Sequence, residues 1–135
     1  MISAEEVIDP DLPIIDPHHH LWDRNGDRYL LDELLADTAQ ADAHGARHNV
    51  RGTVFVECAA MYNAGGPDPM RPLGETEFVN GIAAMSASGG YGDTRFAAGI
   101  VGFADLCLGS AVREVRGALI CAARGRFRGI RHAAV

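Results

Sequence analysis

The sequence predicts an α/β chain and, within that class, the N-terminal half (about four βα units) of a TIM-type (β/α)8 barrel. Three observations lead there. Four short apolar runs rich in strand formers alternate with three segments at helical spacing. The runs lack the period-2 polarity of a half-wet antiparallel sheet, so they read as parallel strands buried on both faces. The chain stops at Val135, soon after the fourth run, with no helix to cover that strand. A full barrel takes typically about 250 residues. A doubly wound sheet fits the same alternation. The abrupt end favours a barrel cut short, a single partial domain over residues 1–135.

Each element has its own signal. Strand one, Pro13–His18, holds Ile14 and Ile15. Residues Trp22–Gly26 read as a loop, with Asn25-Gly26 as its turn. A helix over Asp32–Ala43 follows from the stripe Leu31, Leu34, Leu35 and Ala39, with Gly45 to close it. Strand two is Gly52–Glu57, followed by a long loop with three prolines, Ala59–Pro72. Helix two covers Gly74–Ser86, where Phe78 pairs with Ile82 and Val79 with Ala83 at i,i+4; Gly89-Gly90 ends it. Strand three is Phe96–Phe103. Ser110 is placed to cap a third helix, whose stripe is Val112, Val115, Leu119 and Ile120, before Gly125. Strand four is Phe127–His132.

Composition excludes several classes. A 47% hydrophobic and 22% charged chain is globular rather than disordered. A net charge of −6 argues against nucleic acid as a partner. No apolar run reaches membrane-spanning length, and no basic-then-apolar leader is visible. Cys58, Cys107 and Cys121 are odd in number and lack Cys-x-x-Cys spacing, which suits reduced thiols in the cytoplasm. No Gly-x-Gly-x-x-Gly follows a strand, so nucleotide binding has no support. All 12 basic residues are Arg. The acids crowd residues 1–42 and the arginines crowd residues 106–135. Internal ion pairing accounts for that asymmetry; attraction of an anionic small-molecule substrate is the alternative.

The densest chemistry is Asp16-Pro17-His18-His19-His20, at the end of strand one. Strand alternation sends Asp16, His18 and His20 to one side and His19 to the other. Two imidazoles on one face at a strand end can grip one divalent metal, zinc foremost, and Asp16 could orient a ring. A satisfied polar loop is the competing reading.

Four segments carry a family resemblance: Ile15-Asp16-Pro17-His18-His19-His20-Leu21-Trp22-Asp23, Thr53-Val54-Phe55-Val56-Glu57-Cys58, Gly99-Ile100-Val101-Gly102-Phe103-Ala104-Asp105-Leu106 and Phe127-Arg128-Gly129-Ile130-Arg131-His132. The chain resembles the amidohydrolase-related (amidohydrolase 2) metal-dependent hydrolases, in the branch of sugar-acid lactonases and pyrone-dicarboxylate lactonase. The resemblance implies a distorted barrel with its site at the C-terminal strand ends and His18 and His20 as metal ligands. It implies hydrolysis of a lactone, amide or cyclic ester of a small organic or sugar acid. The family's remaining ligands and its general-base aspartate would fall beyond Val135. Some lactonases of the branch work without a metal, so a metal-free site is an alternative.

Glu57, Arg131 and His132 stand at strand ends and are candidate substrate-binding residues, Arg131 and His132 suiting a carboxylate or carbonyl oxygen. Polar rim groups are the plain alternative. Asp105 reads as a turn or cap, and His44 and His48 as surface. A non-oxidative decarboxylase of the same barrel superfamily and a non-catalytic fragment are the rival functions. The open edges of a half barrel favour homo-oligomers.

Overall fold

The computed structural model describes residues 5–133. The elements run β1 (Pro13–His19), β2 (Trp22–Arg24), β3 (Asp27–Tyr29), α1 (Leu31–Thr38), β4 (Asn49–Val56), α2 (Leu73–Ala87), β5 (Arg95–Gly102), α3 (Val112–Ala122) and β6 (Phe127–Ile130). Short 3-10 turns at Asp68–Met70 and Leu106–Ala111 precede α2 and α3. A four-stranded sheet has the order β1-β4-β5-β6, every pair parallel. β2 and β3 form a separate antiparallel hairpin.

This corrects the expected fold. The chain is a small α/β domain with a four-stranded parallel sheet and three helices, and it is not the N-terminal half of a TIM-type barrel. The sheet is open, with β1 and β6 each paired on one side. Its core falls into two clusters. Phe55, Phe96 and Ile100 from the sheet pack with Leu31 and Leu34 of α1, Val79 and Ala83 of α2, and Ala123 after α3. Val115 and Leu119 of α3 build a second cluster with Ala104. The strands are parallel as expected but are not covered on both faces: Ile15 of β1 is 61% exposed and Ala98 of β5 is exposed too. Alternating strands and helices are common to open sheets and barrels, so periodicity could not separate them.

Local chemistry accounts for the shifted boundaries. The expected loop after Trp22 is a hairpin, because Asn25 (φ 55°) and Gly26 (φ 80°) both take the left-handed conformation of a two-residue hairpin turn. Trp22 stacks on Tyr29 at 5.1 Å and donates its indole N–H to Asp27 at 2.9 Å. Helix α1 stops at Thr38 rather than Ala43. The Asp42 carboxylate accepts the backbone N–H groups of Val7, His44 and Ala46 and organises a turn instead. Ser110 does not cap α3. Its N-cap, Ala111, offers no side-chain acceptor, and the capping side chain nearby is Asp105, which accepts the Cys107 N–H at the start of the preceding 3-10 turn. Ile120, expected in the α3 stripe, is exposed. Among the described residues, no helix is long and apolar enough to cross a membrane.

Helix α2 is locked to its surroundings at both ends. The Ser86 hydroxyl donates to Thr94 O and accepts the Phe96 N–H, each at 2.9 Å. At the other end, a Cβ on Gly74 would sit 2.4 Å from Met61 O and 2.8 Å from Asn63 N. Gly74→Ala is expected to destabilise by about 1–3 kcal/mol, since the clash is with backbone that cannot yield cheaply. Gly81→Ala on the same helix meets nothing within 4 Å and is expected to stabilise by up to about 1 kcal/mol. Denaturant midpoints of the two variants should therefore move in opposite directions.

Candidate functional site

The C-terminal end of β1 sets the site. Its pairing with β4 is irregular between Asp16 and His19. Asp16 Oδ1 accepts the His18 N–H at 3.0 Å, so this carboxylate shapes the bend and orients no imidazole. His18 and His20 emerge on one side, with Nε2 atoms 3.2 Å apart and ring planes at 84°. His20 Nδ1 lies 2.7 Å from Val56 O. A carbonyl only accepts, so His20 is protonated on Nδ1 and presents a lone pair at Nε2. In the absence of an ion, the His18 Nε2–H donates to that lone pair. A 3.2 Å separation also matches two nitrogens about 2.0–2.1 Å from one tetrahedral ion. Among the described residues, no third His, Cys, Asp or Glu ligand atom joins this pair.

His19 turns inward, but simple alternation does not carry it there: Asp16 stands opposite Thr53 and His19 opposite Phe55, so a bulge resets the phase and Asp16, against expectation, does not share the side of His18 and His20. It is 8% exposed and meets Phe55 edge-to-face. Its Nε2 lies 2.8 Å from Thr53 Oγ1, and that oxygen also accepts the Ala97 N–H. His19 Nδ1 is buried with no partner. Burial pushes the imidazole down to about 4, against the opposing pull of Asp16.

The three expected substrate-binding residues divide into two groups. Glu57 N donates to Val101 O and Arg131 N to Gly102 O, so the ladder runs one residue past each strand and brings these two side chains together. Arg131 Nε donates to Glu57 Oε1 at 2.7 Å and its Nη2 to Glu57 O at 2.6 Å. The Glu57 side chain is 12% exposed and that of Arg131 40%, so the pair is buried on the carboxylate side and open to solvent on the guanidinium side. His132 belongs elsewhere. Its Nδ1 accepts the Leu106 N–H at 3.0 Å, lies 3.7 Å from Asp105 Oδ1, and its ring sits edge-on to Phe103. Cys107 joins it there, its thiol held above the usual range by a hydrogen bond to the Asp105 carboxylate.

Glu75 escaped the sequence reading. Nothing in Gly74-Glu75-Thr76-Glu77 marks Glu75 as different from Glu77, yet Glu75 is 2% exposed and Glu77 faces solvent. From α2 its carboxylate accepts the N–H groups of Cys58 and Ala60 and holds the loop that follows β4. Burial pushes it up to about 7, with those two donors opposing. The neighbouring Cys58 thiol donates to Leu21 O and is raised by burial. A groove of about 580 Å³ between α2 and α3, lined by Leu73, Glu77, Gly81 and Cys121, shares no residue with these strand-end groups.

No family model and no solved structure matches the chain. A curated relative, the uncharacterized protein y4mH of Sinorhizobium fredii (strain NBRC 101917 / NGR234), is 32% identical over 106 residues. That match covers 70% of this chain and 32% of the relative, so the chain spans about a third of the relative's length.

The two buried titratable groups act on stability in opposite senses. His19 has a folded pKa depressed from 6.5 to about 4, so its contribution is lost as pH falls through that interval. Glu75 has a folded pKa raised from 4.5 to about 7, so its contribution is lost as pH rises through that interval. Between about pH 4.5 and 6.5 the two slopes oppose, and the stability of the native sequence is expected to be nearly flat. Glu75→Gln leaves the His19 slope uncompensated, and unfolding free energy should then rise by about 1.4 kcal/mol per pH unit across that window. Urea titrations at half-unit pH steps would measure it.

Proposed function

We propose that the chain belongs to a metal-dependent hydrolase of the amidohydrolase-related type, acting on a lactone, amide or cyclic ester of a small organic or sugar acid. The observation that carries the reading is the His18/His20 pair, with its 3.2 Å nitrogen separation and the His20 lone pair set by Val56 O. These residues fit a borderline divalent cation such as zinc: both donors are imidazoles, and one already has its second nitrogen tied to a backbone carbonyl. A cation bound there supplies Lewis acidity, activating water and polarising a carbonyl. The chain's own contribution is placement. The Glu57–Arg131 pair joins the ends of β4 and β6. Such an enzyme would work in the cytoplasm on a small molecule, and the open edges of β1 and β6 support self-association.

The reading makes a paired demand. Zinc added to the chain should shift the imidazole NMR resonances of His18 and His20 and leave the buried His19 unmoved. Because two histidines fill half of a four-coordinate shell, that binding should be weak. With a panel of sugar-acid lactones and cyclic amides, any zinc-dependent turnover should fall by on the order of 100-fold or more in His20→Ala. Resonances of His18 and His20 that ignore zinc, or turnover indifferent to His20, would sink the proposal.

A further inference from the structure

The geometry points to a second, mixed-donor metal site at Asp105, Cys107 and His132, independent of the His18/His20 pair and of the hydrolase reading. Ligand atoms of these three residues all lie within 4.8 Å of one another. Among the described residues they form the one group of three or more such donors at that spacing. The fold brings them together from two places. Asp105 and Cys107 flank Leu106 at the start of the 3-10 turn after β5, and His132 follows β6, the neighbouring strand. The Asp105 cap on the Cys107 N–H fixes the turn, which keeps the carboxylate and thiol on one side of it. The edge-on contact with Phe103 holds the imidazole over the turn, with the Leu106 N–H on its Nδ1.

The donor set selects the ion. One thiolate, one imidazole and one carboxylate suit zinc, or cobalt as its probe, and not magnesium or calcium, which take oxygen. Asp105 and the Cys107 thiolate carry two negative charges, which balance a divalent cation. On binding, the Cys107 thiol gives its proton to solvent and its sulfur lone pair to the metal. His132 Nδ1 gives up the Leu106 N–H and turns that lone pair to the metal. That hydrogen bond is solvent-exposed, so water can take over the Leu106 N–H. Asp105 Oδ1 and His132 Nδ1 are already 3.7 Å apart, close to the spacing of two ligands on one tetrahedral ion. Three protein ligands leave the fourth position open, as in sites where water or a substrate completes the shell.

Cobalt(II) titration of the reduced full chain tests this. A near-ultraviolet thiolate-to-cobalt band with intense visible bands of tetrahedral cobalt is expected, saturating at one equivalent. Cys107→Ser should abolish the thiolate band. His132→Ala should weaken binding more than about tenfold and serves as a second variant if Cys107→Ser is ambiguous. The Cys58→Ser, Cys121→Ser double variant and the His18→Ala, His20→Ala double variant should both keep the band. No band in the native chain, a band that survives Cys107→Ser, or one lost with His18 and His20 would overturn the site.

Discussion

Burial of His19 is the constraint on which the geometry of this strand end depends. Its ring fills a place beside Phe55 and beneath the Thr53 hydroxyl. Once that ring is inside, the flanking residues must face out, because neighbouring side chains on an extended chain take opposite sides. The 3.2 Å approach of His18 and His20 is therefore a consequence of where His19 goes. The same hydroxyl ties the position to β5. Thr53 accepts the Ala97 N–H at a point where Ala97 has a φ of 50°, an unfavourable conformation for a residue with a Cβ. One oxygen thus links β1, β4 and β5 at the level of the core.

The cost of that arrangement is a buried imidazole nitrogen with no partner. The protein keeps it neutral, since a charged ring in that place would face the full desolvation penalty. Glu75 is the counterpart on the helix side. It is held by two backbone N–H donors rather than by a cation, and those donors only partly offset its burial. What it secures is the loop after β4, where Ala59 and Met61 both have positive φ. A loop with two such residues would open readily without an anchor. Its anchoring keeps Glu57 at the end of the ladder, where Arg131 reaches it.

The sequence was legible where hydrophobic period and chain direction decide the outcome. Strand and helix positions followed from apolar spacing, but at the end of β1 an irregular register after Asp16, which alternation does not foresee, decides which residues turn in. It misled where the same pattern serves two ends. Ile15 is apolar and strand-forming, which predicts burial on both faces, yet it is 61% exposed. The Asn25-Gly26 turn was plain, but the three-residue strands beside it are too short and polar to carry a period. Carboxylates were the least legible. Asp42, Glu75 and Asp105 each act by accepting backbone N–H groups, and those partners are set by tertiary placement.

The two donor groups differ in what must leave before a cation can enter. At His18 and His20 the His18 Nε2–H occupies the His20 lone pair, so proton and metal compete directly for it. At Asp105, Cys107 and His132 the obstacles are a thiol proton and a backbone N–H. The first group is set by strand geometry, with one ring already fixed through Val56 O. The second sits on a short capped turn, with an exposed Cys107. A pair with two ligands and a triad with three are different solutions to holding an ion. Their placement at the same end of one parallel sheet follows from topology, since every strand of the sheet points that way.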